Sequence, residues 1–571
     1  MRRTLLLAAA LPLVAAACGT RARETACIPP SWQFSNVAPP VVGETAMVAS
    51  EHPLASQIGA EIMRRGGNAI DAAVAVGFAQ VVVNPRAGNI GGGGFLVYRN
   101  ARGEVYALDY RETAPAAASR TMYLDSAGNV TEASMVGALA AGVPGSVAGM
   151  FEMHHRFGRL PWRDLVLPAI ALARDGHVVD SARAHVIDSN AARLHRFPST
   201  AAILFPGGRP LQPGTLWRQS ELARTLELIA DSGPAGFYRG RTAELIVAEM
   251  RRTGGIITSA DLAGYRAVWR DPIVLRYRDW TIYSVPPASS GGITMGQILN
   301  ILEGYRRLPA FGSPELLHLE VEAMRRAFTD RNRYLGDPDF VRMPLDRLLS
   351  KGYAAELRRQ IHRDRATPSA EMPPIVEGSE TTHYSIVDTE GNAASVTTTL
   401  NDNFGNSIVV TGGGFFLNDE MDDFTSKPGA PNDYGLVQGE ANAIAPGKRM
   451  LSAMTPSIVL DPDGHLALVL GSPGGPRIIS AVAQVISNVI DHGMTLSQAV
   501  NAPRIHHQSL PDSIRWEPNG VTPEARRALE AMGHHFFSRP TGNGVVNAVA
   551  VTPRGLEGVT DPRIPGGAVG W

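Results

Sequence analysis

The stretch TTHYSIVDTEGNAASVTTTLN, residues 381–401, decides the fold of this chain. Two runs rich in β-branched and aromatic residues flank the turn TEG at 389–391, which predicts a β-hairpin centred near residue 390. Partner positions in such a hairpin sum to about 780, so Thr381 is expected opposite Thr399, with Cβ atoms roughly 5 Å apart. The sequence therefore predicts two facing threonine side chains at the open end of the hairpin.

A second hairpin is predicted downstream. The runs SIVLD and HLALVLG, residues 457–461 and 465–471, flank the turn PDG. The second run leads into GSPGG at 471–475, after which Pro476 is expected to start a helix. The N–H groups of Gly474 and Gly475 should then face outward at a helix N-terminus, a place that stabilises an oxyanion or binds an anion.

Upstream of residue 381 the pattern is mostly helical. Apolar residues at helical spacing, interrupted by two glycines, predict two packed helices between residues 52 and 83. Strands are predicted at 95–98 and 105–111, followed by a helix-rich region to about residue 360. No linker, repeat or low-complexity block divides the interior of the 571 residues, which favours lobes that share one core.

Charge and cysteine content exclude several classes of function. The chain has 53 Lys plus Arg and 54 Asp plus Glu, so no overall field attracts nucleic acid or an anionic membrane. Its two cysteines, Cys18 and Cys27, both lie near the N-terminus. A cysteine nucleophile, a cysteine-based zinc site and a disulfide scaffold are thereby excluded from the body of the chain. A small or polar substrate is the expected partner.

The N-terminus predicts export. Two arginines, an apolar stretch and small residues before the cleavage position make residues 1–17 a signal peptide, and residues 18–45 a linker to the body. The expected location is the periplasm. Cys18 directly follows the cleavage position, so a lipid anchor on this residue is an alternative form of the exported protein. An uncleaved membrane anchor is disfavoured because the apolar stretch is shorter than the roughly 20 residues that span a bilayer.

A threonine in a strand ordinarily only packs, so the chemistry of Thr381 depends on activation. A hydroxyl is a weak nucleophile unless a base takes its proton, and an N-terminal α-amine with a pKa near 8 can be that base. Residue 381 has no α-amine in the intact chain. If Thr381 is the nucleophile, the bond after Glu380 must first be broken, by attack of the Thr381 hydroxyl on the preceding carbonyl.

Ordered motifs along nearly the whole mature chain resemble the γ-glutamyltransferase family. Those similar to the family's small subunit are TTHYS at 381–385, TLN at 399–401, NDEMDDF at 418–424, KRMLS at 448–452 and GSPGG at 471–475. Those similar to its large subunit are PRAGNIGGGGF at 85–95, DYRE at 109–112 and PPASSGG at 286–292. The resemblance implies that autocleavage divides the chain into a large subunit, 46–380, and a small catalytic subunit, 381–571, which stay together as a heterodimer.

The fold implied by the resemblance is that of the N-terminal-nucleophile hydrolases, an α/β (α+β) four-layer αββα sandwich. The family also implies roles for individual residues. Thr381 would be the nucleophile, oriented by Thr399, and Gly474 and Gly475 would bind the oxyanion. Substrate binding is divided between the carboxylate, held by Arg111 and Ser452, and the ammonium, held by Asn401, Glu420 and Asp423.

The activity implied is transfer of the γ-glutamyl group of glutathione or a related compound to water, an amino acid or a peptide, without metal or organic cofactor. Residues 428–439 resemble the family's lid, with Tyr434 as its gate. Where many members carry two adjacent serines, this chain has Ser452-Ala453, which removes one hydroxyl donor. Two alternatives stay open: an acylase of the same fold acting on glutaryl-cephalosporins, and a non-catalytic exported lipoprotein that binds amino acids or peptides.

Other motifs receive ordinary interpretations. The glycine run at 88–94 loosely suggests a dinucleotide-binding loop, but a strand is predicted after it where that loop requires a helix. The serine in GSPGG is not a nucleophile elbow, because the pattern G-x-S-x-G is absent there. Histidine pairs beginning at 154, 506 and 534 lack companion ligands at metal-site spacing, so these histidines are expected at the surface.

Overall fold

The computed structural model describes residue 28 and residues 31–35, 39–369 and 381–571. The predicted signal peptide 1–17, Cys18, Cys27 and Glu380 lie outside the described residues. No helix in the described part of the chain combines the length and the apolar composition needed to cross a bilayer.

Eighteen strands are formed by the described residues. Numbered along the chain, they are β1 (Val41–Gly43), β2 (Met47–Ser50), β3 (Gly93–Arg99), β4 (Val105–Asp109), β5 (His177–Val178), β6 (Leu216–Trp217), β7 (Val268–Arg270), β8 (Ile273–Tyr277), β9 (Trp280–Ser284), β10 (Thr382–Val387), β11 (Ala393–Thr399), β12 (Ser457–Leu460), β13 (Leu466–Gly471), β14 (Ile505–His506), β15 (Arg515–Trp516), β16 (Asn547–Thr552), β17 (Gly555–Val559) and β18 (Gly567–Gly570).

Two seven-stranded sheets carry the architecture. Sheet I has the strand order β1-β17-β16-β13-β12-β9-β8, and sheet II has the order β18-β2-β10-β11-β3-β4-β7. Every pairing within them is antiparallel. Both sheets contain strands from before and after residue 381, so the two predicted subunits are interleaved within each sheet.

Helices make up the outer layers. They are α1 (Pro53–Arg64), α2 (Ala69–Val83), α3 (Ser146–Phe157), α4 (Trp162–Asp175), α5 (Ser181–Ser189), α6 (Ala191–Leu194), α7 (Pro198–Leu204), α8 (Ser220–Ser232), α9 (Ala235–Tyr238), α10 (Gly240–Thr253), α11 (Ser259–Gly264), α12 (Gly291–Glu303), α13 (Pro314–Tyr334), α14 (Leu345–Leu349), α15 (Lys351–Arg359), α16 (Arg477–Ile490), α17 (Leu496–Asn501) and α18 (Pro523–Ala531).

The layers stack in the predicted order. Helices α1 and α2 pack on the outer face of sheet II, α12 and α16 pack on sheet I, and the inner faces of the sheets contact each other through β10, β11, β13 and β16. One apolar cluster joins the inner face of sheet II, including Phe95 and Val97, to sheet I and its helices, and a second joins the outer face of sheet II to α1–α4. The structure confirms the αββα sandwich.

The hairpin predicted from residues 381–401 is confirmed in its register. Thr382 pairs with Thr398 and Val387 with Ala393, so partner positions sum to 780 as predicted. The turn is stabilised locally, because Asp388 Oδ1 accepts hydrogen bonds from the backbone N–H groups of Glu390 and Asn392. Every residue of both strands is buried, since the hairpin lies at the centre of sheet II between two covered faces.

Several other predicted elements are also confirmed, although the strand predicted at 105–111 ends at Asp109 and the helix-rich region to about residue 360 also contributes β7, β8 and β9 to the sheets. Strands β12 and β13 form the second hairpin, and α16 begins directly after Pro476. The helices between residues 52 and 83 are α1 and α2, and the glycine run at 88–94 leads into strand β3 as expected.

The segment 18–45, predicted as a linker, is partly built into the body. Strand β1 pairs with β17 at the edge of sheet I, and the buried Trp32 donates its indole N–H to the carbonyl oxygen of Asn501 at 2.6 Å. Nothing in the local sequence signals this pairing, because its partners lie about 470 residues or more away.

The prediction that the histidine pairs lie at the surface is wrong for three members. His506, His507 and His534 are buried. Each imidazole has a polar partner: Ser480 Oγ lies 2.8 Å from Nδ1 of His506, and Nδ1 of His318 lies 2.8 Å from Nε2 of His534. Burial lowers the pKa of His506 to about 3, so this ring is a neutral, structural group.

Candidate active site

Thr381 and Thr399 meet at the open end of the central hairpin. The hydroxyl of Thr381 points at Thr399 Oγ1 across 3.4 Å, and Thr399 Oγ1 accepts a hydrogen bond of 2.8 Å from the backbone N–H of Asn401. Both threonines are buried. The backbone N–H of Asn401 therefore fixes the Thr399 hydroxyl oxygen beside the predicted nucleophile.

The two threonines line one cavity. Its wall combines charged, polar and apolar groups from both predicted subunits. It contains Arg111, Arg331, Thr381, Thr399, Asn401, Glu420, Asp423, Tyr434, Leu436, Ser452, Ala453, Met454, Gly475, Pro476 and Ile478. All the substrate-binding residues predicted from the sequence thus lie around one cavity, with Gly474 directly before Gly475.

Arg111 contacts the two acids that were expected to bind a different part of the substrate. It follows strand β4, which brings it into the cavity from sheet II. Its Nη1 lies 2.6 Å from Glu420 Oε2, its Nη2 donates to Asp423 Oδ2, and its Nε donates to the carbonyl oxygen of Met450 at 3.2 Å. The predicted carboxylate-binding group therefore forms ion pairs with two of the predicted ammonium-binding groups.

Burial disfavours the charged form of the acids around Arg111. Glu420 and Asp423 belong to one 3-10 turn, Glu420–Asp423, and burial raises the pKa of both although Arg111 opposes the shift. Glu112, whose pKa is raised to about 8 by burial, stands 3.6 Å from Arg111. Among the described residues, none donates a hydrogen bond to the Glu112 carboxylate, and Glu420 has only the ion pair of its Oε2 with Arg111. Both groups thus keep capacity for a cationic or hydrogen-bonding ligand.

Asn401 and Tyr434 connect the hairpin to the predicted lid. Asn401 has a left-handed backbone, with φ of 80°, and its side-chain N–H donates to the carbonyl oxygen of Asp419 at 3.2 Å. The Tyr434 hydroxyl lies 2.7 Å from Asn401 Oδ1 and 3.1 Å from its carbonyl oxygen. Tyr434 is buried, so residues 428–439 adopt a closed arrangement over the cavity.

The glycine loop before α16 packs against the same tyrosine. Gly474 and Gly475 have φ values of 132° and 56°, which residues other than glycine rarely adopt. A Cβ on Gly475 would stand 2.6 Å from Cε1 of Tyr434, so the ring requires a glycine there. The loop therefore combines a positive φ, a close aromatic contact and the start of a helix at the wall of the cavity.

Ser452 enters the cavity beside Ala453. Its hydroxyl oxygen accepts from the backbone N–H of Met454 at 3.0 Å, and its own N–H donates to Ala288. Its carbonyl oxygen accepts from the hydroxyl of Ser290 at 2.6 Å. Ala453 also lines the cavity, and its methyl group offers no hydroxyl donor there.

Arg331, Glu112 and Gln438 are cavity or near-cavity groups that sequence reasoning missed. Arg331 is 1% exposed and lies on α13, whose sequence holds four arginines within nine residues. A signal was available, because Arg331 continues the buried stripe of Met324 and Ala327 at helical spacing. An arginine on an apolar stripe indicates a buried functional or structural cation.

His383, in the centre of the TTHYS motif, is a structural residue. Its ring nitrogens lie 2.9 Å from Thr397 Oγ1 and 3.0 Å from Ser385 Oγ, and burial lowers its pKa to about 3. Gly471 makes room for the ring, since a Cβ there would stand 2.4 Å from it. The imidazole remains neutral and packs between the sheets.

The described residues contain one group of three side chains close enough to share a metal ion, Asp461, Asp463 and His465. It lies in the turn between β12 and β13, at the opposite end of β13 from the glycine loop. Asp461 Oδ1 there accepts the backbone N–H groups of Asp463 and His465, which accounts for the cluster as a turn.

Comparison with known proteins agrees with this geometry. A family model described as gamma-glutamyltranspeptidase matches residues 55–571. The glutathione hydrolase proenzyme of Escherichia coli (strain K12) is 45% identical over 560 residues, covering 96% of each chain. A cephalosporin acylase structure from Bacillus halodurans superposes with a TM-score of 0.83 at 28% identity, covering 95% of this chain and 99% of that one.

A third comparison matches a part of the chain. A solved chain of Helicobacter pylori gamma-glutamyltranspeptidase is 45% identical, with a TM-score of 0.56. The match covers 97% of that chain but 59% of this one.

Proposed function

This chain belongs to the γ-glutamyltranspeptidase family, and from that premise we propose that it is a γ-glutamyltransferase and glutathione hydrolase that uses Thr381 as its nucleophile. The observation that carries the proposal is the 3.4 Å approach of the Thr381 and Thr399 hydroxyl groups in a cavity that also holds Arg111, Glu420 and Asp423. A nucleophile there stands beside separate groups for an anion and a cation, as an amino acid requires.

The precursor matures by cutting itself. The Thr381 hydroxyl attacks the carbonyl carbon of Glu380, the amide C–N bond breaks, and the nitrogen takes a proton to become the α-amine of Thr381. Water then hydrolyses the ester between Glu380 and the threonine oxygen, which releases the Glu380 carboxylate. The products are a large subunit that ends at Glu380 and a small subunit, 381–571. The interleaving of both subunits in sheets I and II keeps them together as a heterodimer.

Donor binding exchanges partners inside the cavity. The α-carboxylate of a γ-glutamyl compound takes donors from Arg111 and Ser452, because a guanidinium presents two parallel N–H groups to a carboxylate. The α-ammonium takes Asp423, Glu420 and Asn401. The ion pairs of Arg111 with Glu420 and Asp423 are thereby replaced by ion pairs with the carboxylate and the ammonium of the substrate. A zwitterion leaves the net charge of the buried site unchanged.

The reaction proceeds in two acyl-transfer steps. The free α-amine of Thr381 accepts the hydroxyl proton as the oxygen attacks the γ-carbonyl, and Thr399 orients that oxygen. The N–H groups of Gly474 and Gly475 stabilise the oxyanion. The leaving amine departs with the proton, and the γ-glutamyl ester remains on Thr381. Water, an amino acid or a peptide then takes the acyl group, while Tyr434 and the lid limit access of water.

An acylase acting on glutaryl compounds is the second candidate, favoured by the structural similarity to the cephalosporin acylase. A glutaryl group has no ammonium. It would place its carboxylate in a cavity that already contains Glu420 and Asp423, and it brings no positive charge to replace Arg111 as their partner. The retained pair of acids therefore supports the γ-glutamyl assignment. Family membership likewise disfavours the non-catalytic lipoprotein.

The protein's location belongs to the same proposal. Residues 1–17 direct export, and the mature enzyme works in the periplasm, with Cys18 as the residue that a lipid would modify. This location gives the enzyme access to extracellular γ-glutamyl compounds and peptides. Mass analysis of the mature N-terminus distinguishes a free polypeptide from an acylated one.

Comparing γ-glutamyl and glutaryl p-nitroanilides tests the assignment. Both release the same chromophore and differ only in the α-ammonium group. We expect kcat/KM to favour the γ-glutamyl compound by roughly 10- to 100-fold, the size of a hydrogen-bonded charge interaction. A preference for the glutaryl compound would assign the chain to the acylases.

A further inference from the structure

Arg331 is a buried cation that the predicted site residues leave unexplained. Its side chain is 1% exposed in the cavity wall, and no carboxylate of a described residue lies within ion-pair distance of it. Fully buried arginines are ordinarily paired with an acid, because an uncompensated buried charge is costly. Such a group persists where a ligand supplies the missing negative charge.

Neighbouring side chains fix the guanidinium in place. Nε donates to Ser290 Oγ at 2.9 Å, and Nη1 donates to Gln438 Oε1 at 3.1 Å and to Asn332 Oδ1 at 3.0 Å. All three hydrogen-bond partners are uncharged and orient the guanidinium, while Asp423 acts on its charge electrostatically without forming an ion pair. None of the described residues accepts a hydrogen bond from Nη2.

The same contacts place Arg331 beside the predicted carboxylate site. The Ser290 hydroxyl that accepts from Arg331 donates in turn to the carbonyl oxygen of Ser452, at 2.6 Å. Gln438, the other anchor, belongs to the lid and donates to the carbonyl oxygen of Asp423 at 3.1 Å. Arg331 therefore bridges the segment that carries Ser452 and the lid that closes the cavity.

Arg111 alone is poorly supplied with free donors. Its Nε, Nη1 and Nη2 are each engaged, by Met450, Glu420 and Asp423 respectively. A substrate carboxylate must displace two acids from Arg111, whereas Arg331 forms no ion pair with a described acid and interacts with Asp423 only at longer range. Ala453 offers no hydroxyl donor in the same wall, so the substrate carboxylate needs a donor from another residue.

We propose that Arg331 is a specificity-determining residue, a second guanidinium that shares the α-carboxylate of the donor with Arg111 and couples its binding to the lid through Gln438. This inference rests on the proposed γ-glutamyl chemistry. It adds a residue to that site and a reason why donors without an α-carboxylate should be rejected.

Two donors test the inference on the matured enzyme. γ-Glutamyl p-nitroanilide carries the α-carboxylate, and 4-aminobutyryl p-nitroanilide lacks only that group. For Arg331→Gln we expect kcat/KM to fall roughly 30-fold with the first donor, mainly through KM, and less than about 3-fold with the second. The preference for the carboxylate should therefore fall by about tenfold or more.

Arg326→Gln is the matched control. Arg326 lies on the same helix, is also buried and pairs with Glu322, but it does not line the cavity. Its replacement should change kcat/KM for both donors by the same factor. If Arg331→Gln also lowers both donors equally, Arg331 is only structural and the inference is overturned.

A conservative variant covers failure of Arg331→Gln to fold or mature. Arg331→Lys keeps a charge but cannot contact Ser290 and Gln438 at once, so the preference should still fall; an unchanged preference overturns the inference. Wild-type kinetics separate the two proposals. If the wild type does not favour γ-glutamyl over glutaryl p-nitroanilide, the proposed function fails. If it does, and the Arg331 variants keep the wild-type preference for γ-glutamyl over 4-aminobutyryl p-nitroanilide, only the role of Arg331 fails.

Discussion

The hydroxyl groups of Thr381 and Thr399 lie 3.4 Å apart across the open end of the hairpin formed by β10 and β11. The pairing follows from hairpin register, since every pair from Thr382–Thr398 to Val387–Ala393 keeps the same sum of positions. The two threonines are thereby held at the end of two strands of sheet II in which every residue is buried.

Replacing Thr399 tests whether this proximity serves catalysis. Thr399→Ala removes the oxygen that the Asn401 N–H holds beside Thr381. We expect kcat to fall by roughly 100-fold, with KM close to wild type, because the lost interaction acts on the nucleophile and not on substrate binding. Steady-state kinetics on matured protein measure both constants. Thr399→Ser keeps the hydroxyl and should recover most of the rate; equal rates for Ala and Ser would remove Thr399 from the mechanism.

Arg111 should act on binding. Arg111→Gln removes the cation that Glu420 and Asp423 share, so the donor loses its carboxylate partner and the two acids repel each other. The expected result is a KM for the γ-glutamyl donor raised by roughly 30-fold or more, with maturation intact. Arg120→Gln breaks an exposed ion pair with Glu440 and serves as the control, because exposed pairs contribute only about 0–1 kcal/mol. A wild-type KM in Arg111→Gln would exclude Arg111 from the site.

The hydroxyl of Tyr434 should control how the acyl-enzyme is partitioned. Tyr434→Phe keeps the ring against Gly475 but removes the contact with Asn401. A less firmly closed lid admits more water, so the ratio of hydrolysis to transfer, measured with glycylglycine as acceptor, should rise by about 3- to 10-fold. An unchanged ratio would show that the Tyr434–Asn401 contact does not hold the lid closed.

Glu112 should make stability depend on pH. Its pKa is raised to about 8 in the fold, mainly by burial, from an ordinary value near 4.5. A raised pKa means that the folded state holds the proton more tightly than the unfolded state. The contribution of Glu112 to the free energy of unfolding is therefore present at low pH and lost as pH rises from about 5 through 8. The loss amounts to about 2–4 kcal/mol.

Urea unfolding of wild type and Glu112→Gln at pH 5.5 and 8.5 checks this sign. The wild type should lose more stability than the variant at the higher pH, because the amide cannot ionise. Glu104→Gln changes an exposed glutamate and should keep the wild-type pH dependence. If Glu112→Gln also keeps it, the Glu112 carboxyl is not the group that titrates.

Local sequence patterns predicted the elements better than their assembly. The two hairpins, the helix after Pro476 and the facing threonines follow from strand periodicity and turn chemistry within about 25 residues. The family resemblance predicted the αββα order of the layers and the residues of the site. Neither source could show that Val41–Gly43 forms an edge strand, because its partner β17 lies more than 500 residues away.

Burial of polar residues was the main source of error. His506 and His534 are buried because Ser480 and His318, distant in sequence, satisfy their rings. Helical spacing marks Arg331 as one of the buried residues of α13, but only the structure shows that it lines the cavity. Arg111 and Asp423 were assigned to different charged groups of the substrate, and only the structure shows that they form an ion pair with each other.

The most direct test of the account is the intact mass of the purified, active protein, compared with that of Thr381→Ala. The account predicts two polypeptides in the active enzyme, one of which begins at Thr381 and ends at Trp571, and a single inactive chain in the variant. An active enzyme whose backbone is continuous from residue 380 to residue 381 would contradict it.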